Sequence, residues 1–322
     1  MADSRNKPST EAVAQALTAC LARHVRPGAA VTVGFSGGLD STVLLHAAGR
    51  LAADVRLDLS ALHVHHGLSP HADDWAASCI NVCERLGIPI TVLRVEVPAR
   101  SGEGIEAAAR RLRHKAFSDQ ATDWVLLAHH ADDQAETVLH NLLRGTGLRG
   151  AAGMPEARGR VLRPLLGLGR DVLVEYAEKH QLKWIEDESN ADLRYTRNFL
   201  RREIVPAMAA RFPRIGEQFA AAAGHFGEAE ALLDDLAALD LGACRAEFPL
   251  PLTLFRQLPD ARARNLLRAM LGWHKLQPPD ERRLKEFMRQ LRTAGKDRHP
   301  RVDLPRYALW CEAGKLHLKT PD

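Results

Sequence analysis

Apolar and polar positions follow two rhythms along the first part of this chain, and the rhythms take turns. The β-branched run Ala29–Phe35 predicts a strand, and it stops at Ser36-Gly37-Gly38-Leu39-Asp40-Ser41. Thr42–Leu51 then shows helical spacing. Leu57–Val64 predicts a second strand, and Asp73–Leu86 an amphipathic helix closed by Gly87. Ile88–Val97 predicts a strand, Glu103–Gln120 a helix, Trp124–Ala128 a short apolar strand and Asp132–Arg144 a helix ending at Gly145. Successive strand–helix units imply an α/β fold whose parallel sheet is covered by helices on both faces. A further helix is expected over Arg170–His180. Past Pro213 the strand rhythm stops. Phe219–Leu241 predicts a long helix, Asp260–Leu271 and Pro279–Thr293 two more, and Tyr307–Leu318 a hairpin turning at Ala313-Gly314. The expected division is a first domain over residues 1–213 and a smaller, mainly helical one over 214–322.

Composition narrows the class. With 322 residues, 46% hydrophobic and 26% charged, the chain is long enough for two filled cores and ordinary for a globular protein. The polar start Met1–Glu11 has no apolar signal region, and no run reaches transmembrane length. Five cysteines are too few and scattered for a disulfide framework; Cys79 and Cys83, four apart, read as a buried pair on one helix. A cytoplasmic protein without membrane contact is the expectation. The net charge of +4 is unevenly spread. Cys244–Thr320 holds 17 Lys and Arg against 8 Asp and Glu, formally +9, while the remainder holds 27 against 32, formally −5. A basic C-terminal region suits a polyanion, and equally a solvated helical surface.

In parallel sheets, ligands bind beyond the carboxyl ends of the strands, and there the chemically active residues gather. The first predicted strand ends in Ser36–Ser41. A strand, a glycine turn and a helix in that order put unpaired N–H groups at a helix N-terminus, which suits phosphate. Ser36 and Ser41 add hydroxyls, Gly37 and Gly38 allow close approach, and Asp40 could hold magnesium. No Lys follows to make a Walker A loop, and GxGxxG is absent. Gly34-Phe35-Ser36-Gly37-Gly38 also satisfies the G-x-S-x-G nucleophile elbow of hydrolases, although few residues precede it and none reads HGGG. The second strand ends in His63-Val64-His65-His66-Gly67, and the fourth in His129-His130-Ala131-Asp132-Asp133-Gln134-Ala135-Glu136. These histidines and acids suggest a nucleotide site or a metal centre, with His63 the one best explained as a satisfied strand residue. Asp132 and Asp133 at a helix start suit magnesium, a substrate amine or plain complementation of the helix dipole. Arg110 and Arg113 share one helix face, as a phosphate clamp or a solvated stripe. Arg144-Gly145-Thr146-Gly147-Leu148-Arg149 is a basic, glycine-rich loop, and Arg194, Arg197 and Arg201 form a basic stripe by their spacing.

Taken together, FSGGLDS at Phe35–Ser41, HVHHGL at His63–Leu68 with Ala72-Asp73, EAAARRLRH at Glu106–His114, and AHHADDQAETVLHNLLRGTGLRGAAGM at Ala128–Met154 resemble the tRNA(Ile)-lysidine synthetases, within the PP-loop superfamily of N-type ATP pyrophosphatases. RPLL at Arg163–Leu166 and the run from Asp187-Glu188-Ser189-Asn190 to RNFLRREIVP at Arg197–Pro206 extend the likeness over nearly all of residues 31–206. The C-terminal part is similar to the family's substrate-binding domain more by position than by motif, and longer members carry a further domain beyond it. The resemblance implies a PP-loop ATPase domain and a two-step ligation. ATP adenylylates the C2 oxygen of the first anticodon cytidine in an isoleucine tRNA with a CAU anticodon, and the amine of L-lysine then displaces AMP to give lysidine.

On that resemblance, Ser36, Gly37, Gly38, Leu39, Asp40, Ser41 and His65 would bind ATP, with Asp40 and Asp132 holding Mg2+. Asp40, Asp132, Asp133, Arg110 and Arg113 would serve catalysis. Arg144, Arg149, Arg194, Arg197, Arg201, Arg282 and Arg283 would meet tRNA, and a homodimer is left open. Rival readings are a PP-loop tRNA thiolase, which would need reactive cysteines near the site, a serine hydrolase using Ser36, and a non-catalytic RNA-binding module.

Overall fold

The computed structural model of the chain describes residues 9–98, 104–186, 196–293 and 299–320. It comprises two compact units, Met1–Gly227 and Glu228–Asp322. In the first, helix α1 (Ser9–His24) precedes β1 (Ala30–Gly34), α2 (Leu39–Ala52), β2 (Asp58–His65), α3 (Ala72–Leu86), β3 (Ile90–Arg94), α4 (Ile105–Ser118), β4 (Trp124–Leu126) and α5 (Ala131–Leu143). A short α6 (Leu148–Ala151), strands β5 (Ala157–Arg158) and β6 (Val161–Leu162) and helix α7 (Arg170–Lys179) follow. After residues 187–195 come α8 (Thr196–Phe199), a π-helical turn (Leu200–Ile204), α9 (Val205–Arg211) and α10 (Ile215–Leu241), within which the units divide.

The sheet runs β3-β2-β1-β4-β6-β5, parallel throughout except for the edge strand β5. Period-two alternation places the core. From β2, Leu59 and Ala61 join the face covered by α1, α2 and α7, with Val13, Leu17, Val43, Leu44, Leu173 and Tyr176. Leu62 and Val64 point the other way, to Ala116 and Phe117 of α4. Cys79 and Cys83 are both buried, as their spacing predicts. Gly87 and Gly145 end α3 and α5 at φ of +65° and +69°, a left-handed step that a Cβ would strain. Several elements were not among those expected, α6, α8, the π-helical turn and α9 among them. Helix α1 was not anticipated, although Val13, Leu17, Cys20 and Leu21 carry helical spacing. The β5–β6 hairpin has strands too short for any periodicity.

The second unit holds β7 (Leu250–Pro251), α11 (Leu252–Gln257), α12 (Asp260–Trp273), α13 (Glu281–Thr293), β8 (Arg301–Leu304), β9 (Tyr307–Glu312) and β10 (Lys315–Lys319). Leu284, Phe287, Met288 and Leu291 make one apolar face of α13 and pack with Leu266, Leu267 and Met270 of α12. The predicted hairpin forms, and both turn residues, Ala313 (φ +48°) and Gly314 (φ +72°), are left-handed as a two-residue hairpin loop requires. It belongs to a four-stranded antiparallel sheet, β7-β10-β9-β8, so this unit carries more strand than anticipated.

Candidate active site

The glycine loop leaves β1 and enters α2 with no side-chain cap on the helix start. Hydroxyls hold it instead. The Ser36 N–H donates to Ser41 Oγ (3.2 Å), the two serine hydroxyls lie 3.0 Å apart, and Ser41 Oγ donates to the Gly38 carbonyl (3.0 Å). Thr42 Oγ1 donates to the same carbonyl at 2.9 Å. Gly37 sits at φ +85°, and a Cβ there would stand 2.6 Å from Ile185 Cδ1 and 3.0 Å from Cys79 Sγ. The Ile185 N–H donates to the Gly37 carbonyl at 2.9 Å, so the loop is backed from behind and open in front. Ser36 has no histidine partner among the described residues, which removes the base that a hydrolase elbow needs. His63 instead bonds the Phe35 carbonyl through Nδ1 (2.9 Å), the satisfied strand residue that was expected.

Next to the loop, β4 ends and α5 begins at His130. The imidazole caps α5, accepting from the Asp132 N–H at Nδ1 (3.3 Å), while the His130 N–H donates to Asp133 Oδ2 (3.1 Å). Three carboxylates surround the ring: Asp133 Oδ2 at 3.4 Å and Asp40 Oδ2 at 3.6 Å from Nε2, and Asp132 Oδ2 at 3.9 Å from Nδ1. Burial opposes charging this imidazole, but the bond to Asp40 and the charges of Asp133, Asp40 and Asp132 outweigh it and push its pKa up to about 9. A cation at His130 has two donors and no lone pair for the cap, so the Nδ1 cap belongs to the neutral ring. Burial raises the Asp133 carboxyl, yet His130, His129 and Arg201 together hold it below the usual range. Asp40 Oδ1 is buried with no hydrogen-bond partner.

One turn along α5, the buried Glu136 takes a two-pronged pair from Arg201, Nε to Oε1 at 2.5 Å and Nη2 to Oε2 at 3.0 Å. Arg201 Nη2 also reaches Asp133 Oδ1 at 2.8 Å. Arg197 Nη2 donates to Thr137 Oγ1 (2.9 Å), and its Nε stands 3.8 Å from Glu136 Oε2. Burial raises the Glu136 carboxyl against the pull of Arg201. At the end of β2, His65 Nε2 lies 3.2 Å from Asp73 Oδ1, which also accepts from Arg94 Nη2 at 2.6 Å.

A PP-loop domain model matches residues 9–208, and a TilS substrate binding domain model matches residues 250–317. A tRNA(Ile)-lysidine synthase from Alkalilimnicola ehrlichii is 45% identical over 306 residues, covering 92% of this chain and 69% of that protein. The chain belongs to the tRNA(Ile)-lysidine synthase family. A second such synthase, from Nitrosomonas europaea, is 38% identical over 333 residues, covering 100% of this chain and 72% of its own. Among solved structures, a U34-tRNA thiolase from Methanococcus maripaludis shares the fold, with a TM-score of 0.57 at 16% identity over 68% of this chain and 79% of its own. The likeness stops at the fold: burial pushes the thiols of Cys79 and Cys83 up to about 12 and about 11, which keeps them protonated.

The remaining predicted residues of this family member lie in several places. Arg110 is half-buried and Arg113 exposed on α4; the charge of Arg113 bears on His66, and that of Arg110 on His129. Arg144 and Arg149 are exposed beside α6. Arg282 and Arg283 are exposed on α13 in the second unit, Arg283 lying 3.4 Å from Asp280. Arg194 and the Asp187–Asn190 run lie outside the described residues. Arg197 and Arg201, read from sequence as part of a basic stripe for tRNA, are turned onto the carboxylates of α5. Sequence reasoning named neither His130 nor Glu136 as a site residue, although both stand in the HHADDQAET run that it singled out.

Proposed function

We propose that the chain is an ATP-dependent ligase that joins lysine to C2 of the first anticodon cytidine of a CAU-anticodon isoleucine tRNA. In the first step the cytidine O2 takes AMP from ATP and pyrophosphate leaves. In the second the lysine amine attacks C2, a proton is lost from nitrogen, and AMP departs with O2. Both steps depend on position and charge neutralisation more than on covalent help from the protein. The observation that carries the reading is the open Ser36–Ser41 loop beside the carboxylates gathered on His130. The loop's hydroxyls and the uncapped start of α2 offer donors to the pyrophosphate portion of ATP. His65, steadied by Asp73, would meet the nucleotide from the β2 side.

The buried, unpartnered Oδ1 of Asp40 fits a hard cation, so Asp40 and Asp132 are the residues that would hold Mg2+. Bound there, the ion would neutralise charge on the triphosphate. Asp133 is taken up by the His130 N–H and by Arg201, whereas Asp132 has His130 alone, at 3.9 Å. Asp132 is therefore the carboxylate left for magnesium or the lysine ammonium. Arg110 and Arg113 suit the AMP or the activated base, and Arg144, Arg149, Arg282 and Arg283 the tRNA backbone. No helix among the described residues is long and apolar enough to cross a membrane, and the unbridged cysteines support a reducing, cytoplasmic setting.

The test is nucleoside mass spectrometry of CAU-anticodon tRNA incubated with the full chain, ATP and lysine. Lysidine should form, and AMP release should need tRNA. Absence of the product, or AMP release from ATP alone, refutes the reading.

A further inference from the structure

One charge in the first unit is buried without a counter-charge. Arg163, the first residue after β6, is 7% exposed. Its Nη1 donates to the Pro155 carbonyl at 2.9 Å, while its Nε is buried with no hydrogen-bond partner. No carboxylate among the described residues pairs with it. The charges near it have its own sign. Burial first, then Arg158, works against its protonated form, and Arg163 in turn acts together with Arg110 on the imidazoles of His114 and His129. His129 Nδ1 is likewise buried and unpartnered. A guanidinium buried near other cations costs stability, and its Nε finds no acceptor among the described residues. An anion would repair both faults.

The sheet order indicates which anion. The phosphate loop leaves β1 and His65 leaves β2, whereas Arg163 leaves β6, beyond β4 on the opposite flank. With strands about 4.8 Å apart, Arg163 departs the sheet roughly 10 Å from the loop, on the side away from His65. We propose that Arg163 binds a phosphodiester of the RNA substrate. This rests on the ligase reading of the same edge. A base drawn out of its stack brings its own backbone phosphate towards the protein, so an inserted nucleotide can reach a cation that a smooth RNA surface cannot. The planar fork of arginine matches the two free oxygens of a phosphodiester.

The test uses the full chain with Arg163→Met and Arg163→Lys, measuring thermal midpoint, ATP binding without RNA, and tRNA affinity across a salt series. Removing an uncompensated buried charge should leave the Met variant melting at or above the parent. Its ATP affinity should be unchanged, and its tRNA affinity about tenfold or more weaker. The slope of log affinity against log salt should become shallower by about 0.7. The Lys variant should keep the parental slope. Unchanged tRNA affinity in both variants overturns the proposal. So does loss of ATP binding, which would make this a nucleotide subsite. A lower midpoint in both variants, with tRNA affinity falling in step, would show that Arg163 only clamps the Pro155 carbonyl. A parent protein that binds tRNA but forms no lysidine would refute the ligase reading and leave these binding readouts to be judged separately.

Discussion

Replacing Arg201 by Met should destabilise the first unit in a way that depends on pH, and the pair with Glu136 sets both size and sign. Glu136 has a side chain only 3% exposed, and Arg201 fills both of its oxygens. Without that guanidinium the buried carboxylate keeps only Arg197, 3.8 Å from Oε2, and it escapes the cost of burial by taking a proton. Burial already raises its folded pKa in the intact protein, and loss of Arg201 removes the larger part of what opposes the rise, leaving only the charge of Arg197. A group whose folded pKa lies above its unfolded value contributes stability below the unfolded pKa and loses it as pH climbs. With an unfolded value of about 4.3, holding Glu136 protonated at pH 7 costs at most about 2.7 × 1.36, or about 3.7 kcal/mol. Arg201 is itself 43% exposed, so solvent can reach the gap, and we expect about 2–3 kcal/mol. For a unit of this size that lowers the thermal midpoint by about 5–10 °C at pH 7.5, and by much less near pH 5. The assay is thermal unfolding followed by circular dichroism at both pH values. Adding Glu136→Leu should return most of the loss, because the unpaired Glu136 charge is then gone while Asp133 keeps His130. An equal loss at both pH values, or no recovery in the double variant, would refute the reasoning.

Other expectations follow from the same coordinates. Asp40→Ala should abolish AMP formation and, because Asp40 Oδ2 faces His130 Nε2 at 3.6 Å, should lower the His130 pKa with a loss of stability at neutral pH; retained AMP formation would exclude its magnesium role. Gly37→Ala drives a Cβ into Ile185 and strains a left-handed backbone, so ATP turnover should fall by about 10²-fold; a normal rate would show that the loop tolerates displacement. His46 packs against Tyr176 and His180 with Arg50 nearby, and burial lowers its pKa to about 4. Its contribution is complete above about pH 6.5 and is lost as pH falls towards 4, roughly 1–2 kcal/mol after allowing for solvent around a half-buried ring. His46→Phe should flatten that stretch of a stability-versus-pH curve, and an unchanged curve would clear His46. Arg282→Ala with Arg283→Ala should weaken tRNA binding and make its salt dependence shallower by about 1–2; no change would mark α13 as plain solvated surface.

What could be read from the chain was what local spacing encodes. Strands β1, β2 and β4 announce themselves as apolar runs, and α3 and α5 are framed by glycines that supply the left-handed step. The phosphate loop is legible because its glycines, serines and helix start are contiguous. The β5–β6 hairpin and the sheet around β9 and β10 rest on pairings between strands of two to six residues, which carry little periodicity of their own. Side-chain partners distant in sequence were the harder part. The spacing of Arg197 and Arg201 shows that they share a helix face, yet nothing local says that this face meets Glu136, 65 residues earlier in Arg201's case. Arg163 stands among Leu162, Pro164, Leu165 and Leu166, but its burial and its want of a carboxylate partner among the described residues show only in the fold.

The two flanks of β4 differ in sign, and this bears on how one edge of a sheet can serve two anionic substrates. On the loop side, Asp40, Asp132, Asp133 and Glu136 carry four negative charges against three positive ones on His130, Arg197 and Arg201, a net of −1. That balance disfavours a bare triphosphate and favours a cation at Asp132, the carboxylate with fewest partners. On the far side, Arg158 and Arg163 stand with Arg110 around His114 and His129, and there the surplus is positive. On the reading proposed above, a cationic substrate or ion would be drawn to one flank of α5's N-terminus and a phosphate to the other. The His130 cation between them keeps the acidic group from collapsing under its own repulsion. Neutralising the acidic flank and the basic flank should therefore fail in different assays, the first in nucleotide chemistry and the second in RNA binding.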